Sequence, residues 1–215
     1  MATIHRTTMA PTKLELLTEW LPRQPWYRPT GGAPALTRAG GFRLDDPAGE
    51  VGIEFVFVSD GADATYHVPM AYRSAPLPGA EDGLIGTSEH GVLGRRWIYD
   101  AAHDPVAVRQ LLAFLAGEAQ AQAQNDSDTP DSSVGRSWIA GGRPVAPTPL
   151  SVATTEPGRT TIAVTGPSSE PLALDLIRVL QPGPLAEEAL GHVDADWTRP
   201  GGAVARGAVV VVRER

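Results

Sequence analysis

TYHVPMAYRSAPLPGAEDGLIGTSEHGVLGRRWIYDAAHD, residues 65–104, carries the pattern from which the architecture is read. Tyr66–Tyr72 alternates in the manner of a strand, with Tyr66, Val68, Met70 and Tyr72 on one face and His67 and Ala71 on the other. Small residues, Pro and Gly then make residues 74–91 read as a loop, and Val92–Tyr99 reads as the next strand. Asp104-Pro105 announces a helix, because Asp caps the first free amides and Pro suits the first helical position. Val108, Leu111, Leu112 and Leu115 supply its apolar stripe before Gly117 and the polar AQAQAQ run.

Working toward the N-terminus, Val51–Val58 (VGIEFVFV) is the clearest strand in the chain, and SDGADA (59–64) turns it back antiparallel. DDPAGE (45–50) is a turn, Gly41–Leu44 an edge strand and PTGGAP (29–34) a loop. Thr12 and Glu15 have the capping-box spacing of a short helix, with Leu14, Leu17 and Leu21 on one face and Pro22 at its end. Residues 1–11 read as an extended arm.

Toward the C-terminus, NDSDTPDSS (125–133) is polar and turn-rich, and marks the internal boundary. Beyond it Thr160–Thr165, Leu172–Leu180, His192–Trp197 and Ala203–Val212 read as short strands between Pro/Gly turns. The fold class is therefore α+β: an antiparallel sheet with two main helices over residues 1–124, a linker over 125–135, and a smaller, mainly β subdomain over 136–215.

Composition narrows the function classes. A net charge of −7 over 215 residues argues against nucleic acid, whose phosphates need a basic face. The absence of cysteine removes disulfides, thiol catalysis and thiolate metal sites. No apolar run reaches the ~18 residues of a membrane helix, and the N-terminus lacks a signal-type apolar core, so no membrane partner and a cytoplasmic location are expected. Lys13 is the sole lysine.

Glu89, His90, His103 and Asp104 are metal-compatible types, yet their spacing is not that of a helical ligand pair and Asp104 is claimed by the helix cap; neither a metal nor a cofactor is expected. There is no G-x-S-x-G elbow, P-loop or dinucleotide fingerprint. Arg95 and Arg96 alternate across a strand, which favours pairing with neighbouring acids over a joint anion clamp. Tyr72, Arg73, His90, Arg95, Arg96, Trp97 and His103 are the candidate binding surface, framing the loop Ser74–Gly91. Trp20, Trp26 and Tyr27, gathered in WLPRQPWY, are either an aromatic plug closing the core or a platform for stacking sugar rings.

That same octapeptide, WLPRQPWY (20–27), resembles the W-L-x-x-Q-R-W-[FY] opening of actinobacterial maltokinases. YHVPMAYR, the small-residue loop, WIYD and the helix after them are similar to the later part of the N-terminal cap in those kinases. Pro25 departs from the arginine usual in that family. The resemblance implies a curved antiparallel cap sheet with helices, then a kinase N-lobe remnant, in a setting of trehalose, maltose and glycogen metabolism. On it, LALDLIRVL (172–180) stands where the kinases carry their ATP-contacting lysine strand, and Asp175 takes the lysine's place. An acid there would repel the phosphates a lysine neutralises. With Arg215 as the last residue, the helical catalytic lobe of those kinases is expected to be missing.

The resemblance thus implies a non-catalytic, pseudokinase-like N-lobe protein with accessory or regulatory binding functions. Its partner would be a protein of the glucan or trehalose pathway, or a maltooligosaccharide. The alternatives are a sugar-kinase subunit completed by a separate catalytic lobe, or a protein that binds α-glucan or is associated with its branching.

Overall fold

The computed structural model describes residues 8–29, 31–61, 64–124, 126, 128–156, 158–185 and 188–215, with the side chains of 155 and 156 left aside. The first seven residues of the expected arm and positions 62–63 of the expected 59–64 turn lie outside the described residues.

Two antiparallel sheets divide at the polar segment. The first holds seven strands: β1 (Met9–Ala10), β2 (Leu36–Leu44), β3 (Gly52–Asp60), β4 (Ala64–Arg73), β5 (Leu84–His90), β6 (Gly94–Asp100) and β7 (Gln122–Ala123), in the order β1-β5-β6-β4-β3-β2-β7. The second holds six: β8 (Gly135–Trp138), β9 (Val152–Glu156), β10 (Arg159–Thr165), β11 (Pro171–Ile177), β12 (Gly191–Thr198) and β13 (Val204–Glu214), in the order β8-β12-β13-β11-β10-β9. The α+β reading holds, with α1 (Lys13–Trp20) and α2 (Pro105–Ala116) as the two helices.

Each element answers to local chemistry. Thr12 and Glu15 close the expected capping box on α1. Asp104 caps α2 by accepting from the Val106 and Ala107 amides at 2.8 and 3.1 Å, and Pro105 follows it. Gly117, at φ 86°, ends α2 in the left-handed conformation that a side chain would disfavour. Residues 74–91 are not all loop: Leu84–His90 is a strand, paired antiparallel to β6 from Leu84↔Tyr99 to His90↔Gly94. Its small residues and shifted register concealed the alternation. The short edge strands β1, β7, β8 and β9 were likewise not expected.

The alternation of β3 and β4 gives the first sheet two apolar faces. Val56, Val58, Tyr66, Val68 and Met70 bury one against α1 and the Trp20–Trp26 segment. Phe42, Phe55, Phe57 and Ala71 bury the other in a single cluster with Leu112 and Leu115 of α2 and Leu174, Val193, Trp197 and Val210 of the second sheet. The two halves thus share one core on that side. Backbone bonds stitch it where β4 meets the chain after β11: His67 N–H to Arg178 O at 2.9 Å and Leu180 N–H to Thr65 O at 2.8 Å.

Candidate functional site

The predicted surface residues fall into separate roles. Arg73 holds Asp104 with Nε at 2.5 Å and Nη2 at 3.0 Å, so the cap of α2 is also one end of a largely buried ion pair. That carboxylate keeps Arg73 protonated, raising its pKa further. Tyr72 donates to Glu54 at 2.8 Å. His103 packs beside Gly83, where a Cβ would sit 2.6 Å from the histidine Cβ. Trp97 is half-buried against the shared core, and Arg96 is half-buried opposite Ser88.

The β5–β6 hairpin brings the others together. His90 Nδ1 accepts from the amides of Val92 and Leu93 at 3.3 and 3.1 Å, which shapes the tip, and Gly94 closes it at φ 69°. Arg95 pairs with Glu89 at 2.7 Å across the ladder, an exposed contact worth at most ~1 kcal/mol. Val92 and Leu93 are left 63% and 44% exposed, with Leu84 39% exposed at the far end of β5.

Trp20 and Trp26 are each 4% exposed and lie edge to face at 5.8 Å, with Trp26 and Tyr27 both against Tyr66. Neither tryptophan offers a ring face to a sugar, and their place is that of the aromatic plug. Tyr27 is half-buried and donates to Asp60 at 2.6 Å. Behind Trp26 lies the fully buried Arg178, 5.3 Å from the Trp26 ring, bonded to Asp100 at 2.5 Å and to Thr160 at 2.8 Å.

Asp175, on β11, is completely buried, and its carboxylate is engaged on both oxygens. Thr161 donates to Oδ1 at 2.6 Å and Arg213 to Oδ2 at 2.6 Å, with Arg159 at 3.5 Å. Burial of an acid is tolerated here because donors and cations surround it.

A second polar cluster escaped the sequence reading. Glu54 interrupts the apolar run of β3 on the face of Val56 and Val58, and its side chain is only 8% exposed. Lys13 reaches both of its oxygens, at 2.7 and 2.5 Å, Tyr72 donates to Oε2, and Gln124 donates to Oε1 at 3.1 Å. Arg38 in turn bonds Gln124. The signal was present as one acid inside VGIEFVFV and one lysine in the chain, but 41 positions separate the two.

Together Met9, Lys13, Leu14, Arg38, Val56 and Gln124 line an open groove of about 410 Å³ over Glu54. A bulge between Arg38 and Gly40 turns β2 at its rim. Gly41, at φ 134°, makes room there for Gln124, whose Nε2 is 2.6 Å from where a Cβ would stand.

Among the described residues no group of three or more His, Asp or Glu is arranged to hold a metal ion, and no helix is long and apolar enough to cross a membrane. No curated protein matches the chain. The family description that matches is the maltokinase N-terminal cap domain, over residues 20–104. From the aromatic end of α1 to the cap of α2, this chain is similar to the maltokinase N-terminal cap domain.

Proposed function

We propose that this protein is a non-catalytic accessory binding protein of maltose, trehalose or α-glucan metabolism, acting in the cytoplasm, and that it holds a protein partner through the β5–β6 hairpin. The observation that carries the reading is the tip Gly91–Gly94. Its two apolar side chains, Val92 and Leu93, point out from a turn braced by the His90 ring, inside the segment that matches the cap domain. Apolar side chains held outward on a braced turn favour a partner that covers them. Asp175 supports the non-catalytic half of the reading. Read as the counterpart of the ATP-contacting lysine of the kinases, Asp175 would repel phosphates, and Thr161, Arg159 and Arg213 already occupy its carboxylate.

Co-purification from the native cell tests the proposal, comparing the full chain with the double variant Val92→Asp, Leu93→Asp. The expected result is a trehalose- or glucan-pathway enzyme retained by the wild type and lost by a variant with unchanged thermal unfolding. Recovery of no such enzyme by the wild type overturns the assignment. Calorimetric titration with Mg·ATP is expected to be flat, and binding at micromolar strength would sink the non-catalytic reading.

A further inference from the structure

We infer that this protein associates with a second copy of itself, the β5–β6 tip of one chain entering an acid-edged groove at the end of the second sheet of the other. The contact uses the tip on which the partner proposed above also rests. It needs no pathway enzyme, however, so the two readings fail separately.

The tip offers more than two apolar side chains. Val92 and Leu93 are 63% and 44% exposed. Behind them on β6, Arg95 is neutralised by Glu89. Arg96 is half-buried and, among the described residues, makes no hydrogen bond, ion pair or ring contact. Its guanidinium stays protonated and can only donate. The hairpin end therefore presents an apolar knob with one uncompensated positive charge beside it. Arginine set against apolar side chains is a frequent composition at the centre of protein interfaces.

The complement lies on the same chain. Ile139, Ala189 and Leu190 form the apolar wall of a groove of about 570 Å³, and Glu188, Arg213 and Glu214 complete its lining. Backbone bonds fix the wall: Ile139 N–H donates to Leu190 O at 2.9 Å, and Leu190 N–H to Val212 O at 2.8 Å. Ile139 is nevertheless 72% exposed. Arg213 is engaged by the buried Asp175 at 2.6 Å, so it leaves the acids of the groove alone. Glu188 and Glu214 are exposed and have no partner among the described residues.

Each surface lacks what the other supplies. The groove wants an apolar body with a donor-bearing cation at its side, and the tip is both in one braced piece. Val92 and Ile139 remain exposed within a single chain, so the tip does not fill its own groove. A net charge of −7 makes copies repel one another in general, and only a local match of opposite charge draws two together. Arg96 against either free carboxylate supplies that match, as a charge-assisted contact. Tip and groove are different patches of one chain. A reciprocal pair of contacts closes at two chains, and a one-way contact continues into a ring or a filament.

Sedimentation velocity of the purified full chain tests the inference. The wild type is expected to associate with a Kd of about 100 μM or tighter. Arg96→Glu, and separately the double variant Glu188→Arg, Glu214→Arg, should each weaken self-association about tenfold or more, because each sets like charges together. Mixing these two proteins places opposite charges at both contacts and should restore association. If Arg96→Glu does not keep the thermal unfolding of the wild type, Val92→Asp, Leu93→Asp takes its place. Its acidic tip should likewise lose self-association and regain part of it with the arginine-bearing groove.

Three outcomes overturn the assignment. They are a wild type that stays monomeric up to about 1 mM, a tip or groove variant that associates as the wild type does, or a mixture of the two that remains monomeric.

Discussion

His67 and Arg178 show how much is staked on single side chains where the two sheets meet. His67 is fully buried between Phe55 and Phe57, its Nδ1 3.1 Å from the Ile177 carbonyl oxygen. Burial, aided by the Arg178 charge, lowers its pKa to about 3. A free histidine titrates near ~6.5. Between these values the unfolded chain binds a proton that the folded one refuses, so stability is highest above the upper value and falls as pH drops toward the lower. Chemical denaturation at pH 7 and pH 5 should show this fall in the wild type and a smaller one in His67→Gln. Equal falls in both would remove His67 as the cause. Arg178→Ala strands the Asp100 carboxylate in the core and should cost about 3–5 kcal/mol in the same measurement. A loss below about 1 kcal/mol would mean the pair is replaced locally.

At the scale of elements, α2 is fastened at both ends, and its start is where local and long-range chemistry coincide. Asp104 caps the helix and receives Arg73 from β4, so one carboxylate sets both where α2 begins and how it lies against the first sheet. An exposed cap is worth about 1 kcal/mol. Here Asp104→Ala should cost about 2 kcal/mol more than that, because Arg73 loses a charged partner. Asp104→Asn, which keeps an acceptor for the amides, should fall between. If Asn and Ala are equally damaging in thermal melts, the ion pair outweighs the cap. On β2, Gly41 stands at φ 134° with the Phe55 carbonyl oxygen 2.1 Å from the position of a Cβ. Gly41→Ala should therefore displace Gln124 from Glu54 and lower stability by about 1–3 kcal/mol, measured by denaturation. An unchanged midpoint would show that β2 relaxes freely there.

Over the whole molecule, the polar segment at 125–133 separates the sheets in sequence, while Phe42, Phe55, Phe57 and Leu112 are buried by residues from beyond it. The full chain should then unfold in one transition, coincident by far-ultraviolet dichroism and tryptophan fluorescence. A fragment of residues 1–124 would bare that face to water and should lack dispersed amide resonances. A well-dispersed fragment spectrum would show that the first sheet folds alone.

Much of this was legible in the residues themselves. Capping chemistry acts over three or four positions, so Thr12 with Glu15 and Asp104 with Pro105 placed both helix starts correctly. Period-two alternation likewise assigned the two faces of β4, and Pro/Gly turns marked off four strands of the second sheet. β5 was not legible, because Gly86 and a register shift break its alternation, and neither were the short edge strands, which have too few residues to show a period.

The candidate surfaces divide in the same way. The hairpin lay within the predicted region because its parts are neighbours in the chain, although His90 and Arg95 serve its shape and Trp20 and Trp26 serve the core. The groove over Glu54 was invisible, since Lys13, Arg38 and Glu54 come from three separate elements and Gln124 from the chain after β7. By itself the sequence determined the class of fold, the helix boundaries and the likeness to a maltokinase cap, all of which rest on contacts between near neighbours. Only the tertiary structure decided which acids are saturated, which aromatics are buried and which cations share a rim, because partners far apart in the chain set the desolvation and charge of each group.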